Sequence, residues 1–79
     1  MHTVTLYGKA GCHLCEDAKA ELLRIARTDP FTLIEVDIQG DSVLLERWGH
    51  QIPVVLLDGT VVSRFEVDTA RLRALLRAI

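Results

Sequence analysis

The chain has 79 residues, of which 49% are hydrophobic and 25% are charged, and its formal net charge is −2 at pH 7. This length leaves room for a single domain, residues 1–79, and the composition excludes a disordered chain, which needs few apolar residues and a large net charge. The small acidic surplus argues against a protein whose main role is to bind nucleic acid, because such proteins usually carry a basic surplus.

The first half of the chain predicts a strand, a helix and a second strand. Thr3–Tyr7 alternates apolar and polar residues with the period of a strand, and a helix follows over about His13–Arg27. The residues that fall on one face of this helix are Leu14, Ala18, Leu22 and Ile25. Pro30 ends the helix, since the residue before a proline is pushed out of the α region. Phe31–Ile38 is the second strand, which gives the order of a parallel crossover unit.

A short helix and a buried strand come next. Asp41 or Ser42 can cap a helix over Val43–Trp48, because both side chains accept hydrogen bonds from the first free backbone N–H groups. Val54–Leu57 is an unbroken apolar run, which is typical of a strand covered on both faces.

The last part of the chain predicts a hairpin and a final helix. Asp58-Gly59 is a hairpin dipeptide that leads into a strand over residues 60–65, and a helix starts near Asp68. The apolar face of that helix is formed by Leu72, Leu75, Leu76 and Ile79. The predicted order is therefore β-α-β-α-β-β-α, an α/β fold in which helices cover both faces of a mixed four-stranded sheet. Periodicity leaves the order of the strands in the sheet open.

The Cys12-His13-Leu14-Cys15 segment is the constellation with evident chemistry. Cys12 falls at the start of the predicted first helix, where free N–H groups and the helix dipole favour a thiolate, the reactive form of cysteine. Cys15 is three residues further on, with Cβ atoms about 5–6 Å apart, so a modest rotation can close a disulfide. The hypothesis is that Cys12 attacks a substrate disulfide and that Cys15 then attacks Cys12 and releases the reduced substrate.

Other interpretations of the two cysteines stay open. They could form half of a zinc site, although a second cysteine pair is absent and His2, His13 and His50 lack the zinc-finger spacing. They could also be inert, or Cys12 from two chains could hold a metal or iron–sulfur centre in a dimer. For His13 two interpretations are equally open: an imidazolium that lowers the pKa of the Cys12 thiol, or a solvated residue.

The compartment is predicted from the N-terminus and the cysteines. No basic region followed by an apolar stretch is visible at the N-terminus, so we expect a cytoplasmic protein. In the cytosol two cysteines are more often reactive or metal-binding than structural. The longest apolar run, Val54–Leu57, is much shorter than the ~20 residues of a spanning helix, so we expect no membrane association.

Two segments resemble known sequences. Tyr7-Gly8-Lys9-Ala10-Gly11-Cys12-His13-Leu14-Cys15 resembles the active-site segment of glutaredoxins, and Gln51-Ile52-Pro53 resembles the segment before their third strand. Together with the order of elements, the resemblance covers nearly the whole chain and is to the short bacterial glutaredoxin-like proteins of the thioredoxin-like fold. It implies the sheet order 2-1-3-4, with the third strand antiparallel to the first.

The resemblance also implies roles for individual residues. It implies that the Ile52-Pro53 bond is cis and lies beside the cysteines, and that the backbone of Ile52 pairs with a bound peptide or glutathione. Lys9 would lie near the thiolate or a glutathione carboxylate. Apart from the resemblance, His13 is predicted to be a substrate-binding residue. Tyr7 and Trp48 are expected to be packing anchors.

The function implied is that of a small thiol–disulfide oxidoreductase that reduces protein disulfides or glutathione mixed disulfides. Its partners would be those disulfides and a thiol reductant or reductase. We expect a monomer with no bound cofactor and with glutathione as a candidate co-substrate. The chain departs from glutaredoxins in residues 62–66, which lack the Gly-Gly-Asp segment that holds glutathione there. A further alternative is an interaction domain of the same fold whose cysteines no longer turn over.

Overall fold

The computed structural model describes residues 1–78, which form four strands, three α-helices and one 3-10 turn. In chain order the elements are β1 (Thr3–Gly8), α1 (His13–Ala26), β2 (Thr32–Asp37), the 3-10 turn (Ile38–Gly40), α2 (Ser42–Trp48), β3 (Val54–Leu57), β4 (Thr60–Arg64) and α3 (Thr69–Arg77). The sheet order is β2-β1-β3-β4, and β1 pairs parallel with β2 and antiparallel with β3. The mixed sheet and the strand order implied by the resemblance are confirmed. Within the described residues, no helix has the length and apolar character needed to cross a membrane.

The larger core lies between one face of the sheet and the helices α1 and α3. Its buried side chains come from three strands and both helices: Val4, Leu6, Ala18, Leu22, Ile25, Val55, Leu57, Val62 and Leu72. Each fully buried Leu or Ile of this kind contributes about 1.5–3 kcal/mol relative to an exposed one. This layer fixes α1, and therefore the cysteine pair at its start, against the sheet.

A smaller core lies on the opposite face, under α2. Trp48, Val54 and Leu56 are its buried members, and Tyr7 packs against them with its ring centroid 6.3 Å from that of Trp48. The packing role predicted for Tyr7 and Trp48 is thus confirmed. All residues of β3 are buried, because this strand is covered by a helix layer on each face.

Four predicted features of the elements need correction. Leu14, predicted to face the core, is 58% exposed, and Cys15 takes the buried position in the first turn of α1. Ile38, predicted to end the second strand, is buried in the 3-10 turn, because the Asp37 carboxylate accepts the N–H of Gln39 and turns the chain. The predictions for Phe65, at the end of the fourth strand, and for Leu75, on the last helix, are also wrong. Phe65 lies just beyond β4 with a φ of 71°.

The predicted hairpin and helix caps are in place. Asp58 and Gly59 both have positive φ, as a two-residue hairpin turn with the twist of its strands requires. The side chains of Asp41 and Asp68 accept backbone N–H groups at the starts of α2 and α3. On α3, Leu72 is buried but Leu75 is 39% exposed, so the predicted apolar face is narrower than expected. Ile79 lies outside the described residues.

Candidate redox site

Cys12 is the N-cap residue of α1. Its φ and ψ of −85° and 108° are extended, and its Sγ accepts the backbone N–H of Cys15 at 3.3 Å. Its own N–H donates to the carbonyl oxygen of Lys9 at 3.3 Å, which holds the loop before the helix. A sulfur in this position faces a backbone donor and the positive end of the helix dipole, and both stabilise a thiolate.

The two cysteines form a disulfide, and their exposure differs. The Cα atoms of Cys12 and Cys15 are 5.2 Å apart. Cys15 is 7% exposed, whereas Cys12 is half-buried, so Cys12 is the sulfur that an incoming molecule can reach. This difference in exposure makes Cys12 more accessible than Cys15 to a molecule in solution.

Gly8 is a site residue that the sequence analysis missed. A Cβ atom built on it would lie 3.1 Å from both Cβ and Sγ of Cys15, which is closer than side chains normally approach. Because Gly8 has no side chain, the last residue of β1 can lie directly against the Cys15 side chain. Its position before the loop was visible in the sequence, but this close approach depends on how α1 lies on the sheet.

The Ile52-Pro53 segment lies at the same end of the sheet as the cysteine loop. In the antiparallel pair of β1 and β3, Tyr7 is opposite Val54. The residues after β1 and those before β3 therefore lie at the same end of the sheet. The Ile52-Pro53 peptide bond is cis, Pro53 is fully buried and Ile52 packs at the margin of the Trp48 cluster. The topology thus brings this segment and the cysteine loop to the same end of the sheet, although they are far apart in sequence.

His13 and Lys9 are both exposed. The imidazole of His13 is 84% exposed, and its Nε2 lies 3.6 Å from a carboxylate oxygen of Asp17, one turn along α1. Lys9 is in the loop before Cys12 and contributes its carbonyl oxygen to that loop. The structure places both residues at the rim of the site, and their roles toward a substrate remain predictions.

A cleft of about 300 Å³ lies on the β2 side of the cysteines. Its lining includes Lys9, Cys15 and Glu16, and the ammonium of Lys19 lies 3.2 Å from the carboxylate of Glu35 in its wall. Cys15, the more buried of the two cysteines, therefore borders a polar cleft. Among the described residues, no group of three or more His, Cys, Asp or Glu side chains is arranged to hold a metal ion.

Comparison with known proteins identifies the family of this chain. The family model described as Glutaredoxin-like domain (DUF836) matches residues 3–77. This chain belongs to the glutaredoxin-like family. The glutaredoxin-like chain is also 36% identical over 76 residues to protein Rv0508 of Mycobacterium tuberculosis, a match that spans 90% of this chain and 78% of that protein.

Solved structures agree with this assignment. The solution structure of protein Ne2328 from Nitrosomonas europaea is similar to the glutaredoxin-like chain with a TM-score of 0.85 and 25% identity, over 94% of this chain and 89% of that one. The X-ray structure of protein XcR50 from X. campestris has a TM-score of 0.73 and 35% identity, over 96% and 97% of the two chains. The oxidised thioredoxin from Plasmodium falciparum shares the fold, with a TM-score of 0.61 and 16% identity over 95% of this chain and 77% of that one. The predicted thioredoxin-like fold is confirmed.

Proposed function

We propose that this glutaredoxin-like protein is a small thiol–disulfide oxidoreductase whose nucleophile is Cys12 and whose resolving residue is Cys15. The single observation that carries the proposal is the Cys12–Cys15 disulfide at the start of α1, with Cys12 the more exposed of the two sulfurs. The family and the thioredoxin-like fold support a redox role for this pair.

The proposed reaction starts from the reduced protein. The Cys12 thiolate attacks one sulfur of a substrate disulfide, the other substrate sulfur leaves as a thiolate, and a mixed disulfide forms. The Cys15 thiol then loses its proton and its sulfur attacks that of Cys12, so the second substrate sulfur also leaves as a thiolate. Two electrons pass to the substrate, and the protein is left with the Cys12–Cys15 disulfide. A thiol reductant or a reductase supplies two electrons to restore the dithiol.

The position of Cys12 supports its role as nucleophile. In the reduced protein, the N–H of Cys15 that now lies 3.3 Å from the Cys12 sulfur would donate to the thiolate. Hydrogen bonds to a charged acceptor are roughly twice as strong as neutral ones. Cys15, buried beside Gly8, is shielded from large substrates but adjacent to Cys12, which suits a resolving residue.

Substrate contacts are proposed for four further residues. Ile52 and Pro53 lie at the end of the sheet that carries the cysteine loop. The backbone of Ile52 is therefore suited to pair with an extended peptide beside Cys12. Lys9 and His13 flank Cys12 in sequence and are exposed, so both can meet a bound substrate. The substrates proposed are protein disulfides or glutathione mixed disulfides, and the protein is proposed to act as a cytoplasmic monomer without a bound cofactor.

The test uses two cysteine variants and a small mixed disulfide of glutathione. Cys12→Ser is expected to abolish reduction of the disulfide, whereas Cys15→Ser should accumulate a covalent adduct at Cys12 that intact-mass spectrometry detects. His50→Gln, an exposed change outside the proposed site, serves as the matched control and should keep wild-type activity. Unchanged turnover in Cys12→Ser would overturn the proposal. Stoichiometric metal or iron in the untagged purified protein would favour the dimeric metal or iron–sulfur module instead.

A further inference from the structure

A groove of about 320 Å³ lies between α1 and the segment that follows β4. Its apolar lining includes Leu14 from the first turn of α1, together with Phe65 and Val67 from the connection to α3. Leu14 and Phe65 are 58% and 57% exposed, so two large apolar side chains face solvent in one concave surface. Exposed apolar side chains that cluster in a groove are typical of a binding site rather than of ordinary surface.

The groove adjoins the redox site at two points. Leu14 is only two residues beyond Cys12, so the groove begins within the first helical turn, about 3 Å along the axis of α1 from Cys12. On the other wall, the N–H of Phe65 donates to the carbonyl oxygen of Gln51 at 3.1 Å, directly before Ile52 and Pro53. A peptide bound beside Ile52 with its sulfur at Cys12 would therefore present its neighbouring side chains to this groove.

The backbone of Phe65 holds its ring in this position. Its φ of 71° is in the left-handed region, which a bulky aromatic residue rarely adopts. Such conformations cluster at ligand-binding sites, where the surrounding structure maintains them. Phe65 thus places an aromatic side chain in the connection between β4 and α3.

The polar rim of the groove is acidic. Asp17, Glu21 and Glu66 line it, and none of the lining residues that the structure describes is a lysine or an arginine. Hydrogen bonds from Arg24, and then from Thr69, lower the pKa of Glu21 to about 2, so its charge is fixed at neutral pH. Arg24 is bound to Glu21 by two hydrogen bonds of 2.7 and 2.6 Å, so the carboxylates of Asp17 and Glu66 are the ones left for a basic ligand.

We propose that this groove selects protein disulfides in which the reacting cysteine is followed or preceded by an apolar residue and a basic residue. The apolar side chain would pack between Leu14 and Phe65, and the basic one would meet Asp17 and Glu66. Glutathione, which carries two carboxylates and no large apolar side chain, would gain neither contact. This inference rests on the proposed function and names the substrate class of the same site.

The experiment compares three peptides of equal length, each with one cysteine joined by a disulfide to the chromophore thionitrobenzoate. The cysteine is flanked by leucine and arginine in the first, by leucine and glutamate in the second, and by glycine and serine in the third. The arginine peptide should have the highest kcat/KM, about tenfold above the glycine–serine peptide, as burial of an apolar side chain predicts. Its advantage over the glutamate peptide should shrink when the salt concentration is raised, because exposed charges are screened.

Variants of the groove locate the selectivity. Glu66→Gln and Asp17→Asn should each reduce the ratio of the arginine rate to the glutamate rate by about two- to fivefold, as expected for an exposed charge pair. Phe65→Gly, which suits the positive φ, should reduce the ratio of the leucine–arginine rate to the glycine–serine rate. Glu46→Gln, an exposed acid on α2, is the matched control and should leave both ratios unchanged.

The outcomes separate this inference from the proposed function. Equal rates for the three peptides, or a preference for glutamate, would overturn the inference and leave the redox function standing. Failure to reduce any of the three peptides, together with failure on the glutathione mixed disulfide, would overturn the proposed function itself. A preference that persists unchanged in Phe65→Gly and Glu66→Gln would place the selectivity elsewhere and also overturn the inference.

Discussion

The two faces of the sheet differ in how they are covered. On one face, α1 with 14 residues and α3 with 9 residues bury side chains from three strands. On the other, α2 has only 7 residues, and its side chains Val43 and Leu45 are 70% and 44% exposed. The first face holds the cysteine pair in position, and the second supports the Ile52-Pro53 segment through Trp48. The fold therefore concentrates its stability behind the cysteine pair and leaves the Ile52-Pro53 segment on a thinner support.

The largest expected effect comes from truncating one leucine on each face. Leu22→Ala should lower the free energy of unfolding by about 2–5 kcal/mol, because the side chain is fully buried and leaves a cavity. Leu44→Ala, on the half-buried margin of the α2 cluster, should cost clearly less. Urea unfolding followed by circular dichroism measures both. Equal losses would show that the two faces contribute alike.

The next effect concerns the contact between α1 and α3. Thr69 donates to Glu21, and Arg24 pairs with it, so the folded-state pKa of Glu21 falls from 4.5 to about 2. A lowered carboxyl pKa stabilises the folded state above the unfolded value, and this contribution is lost as the pH falls from about 4.5 towards 2. Glu21→Gln should therefore be less stable than wild type by about 1 kcal/mol at pH 7, given the partial exposure of the pair.

The pH dependence provides the control for this prediction. Denaturant unfolding at pH 7, 4 and 3 should show the difference between wild type and Glu21→Gln shrinking as the pH falls. Asp29 and Asp58 also have lowered pKa values, because hydrogen bonds from Arg77 and from the Thr3 backbone, respectively, favour their charged forms. Both groups are present in the two proteins, so their contributions cancel in the difference. A constant difference across this range would contradict the assigned role of Glu21.

A smaller effect is expected on the α2 face, where two arginines lie over the Trp48 ring. The guanidinium carbon of Arg47 is 5.0 Å from the ring centroid, and that of Arg64 is 5.5 Å away. Arg64→Met, which keeps an unbranched stem, should lower the free energy of unfolding by about 0.5–1 kcal/mol through loss of one cation–π contact. The same change in a Trp48→Phe background should cost less. Additive losses in this cycle would indicate that Arg64 acts independently of the indole.

The smallest effect is expected at the exposed surface of α2. Val43 is 70% exposed, so Val43→Ser should change the free energy of unfolding by no more than about 0.5 kcal/mol. Thermal unfolding by differential scanning calorimetry measures this. A loss comparable to that of Leu44→Ala would mean that Val43 is covered in solution, and it would remove the contrast between the two faces.

Much of the fold follows from local patterns in the sequence. The period-2 alternation of Thr3–Tyr7, the apolar run Val54–Leu57 and the Asp58-Gly59 turn each specify an element that needs little distant information. The strand order is different, because pairing between distant strands is not encoded in any one segment. Here it was implied by the resemblance carried by the cysteine and Ile52-Pro53 segments, and the structure agrees.

The remaining site features depend on how packed elements meet. Helical periodicity assigned Leu14 to the core face of α1, but it cannot show that this first turn borders a groove, which exposes Leu14. The sequence predicts Phe65 at the end of the fourth strand, yet β4 ends at Arg64 and the backbone of Phe65 is left-handed. The need for Gly8 arises from its distance to Cys15, a tertiary property. The cysteine pair was predictable because its spacing and its helix N-terminus are local.

Asp58 also joins the hairpin turn to the start of the chain. Its carboxylate accepts the Thr3 N–H at 2.9 Å and contacts His2 at 2.6 Å, while its own N–H donates to the Thr3 carbonyl oxygen at 2.8 Å. Thr3 and Asp58 are 55 residues apart in sequence, so their contact exists only when the hairpin has docked on the first strand. Protection of the Thr3 amide from hydrogen exchange therefore requires the hairpin turn to stay docked on the start of the first strand.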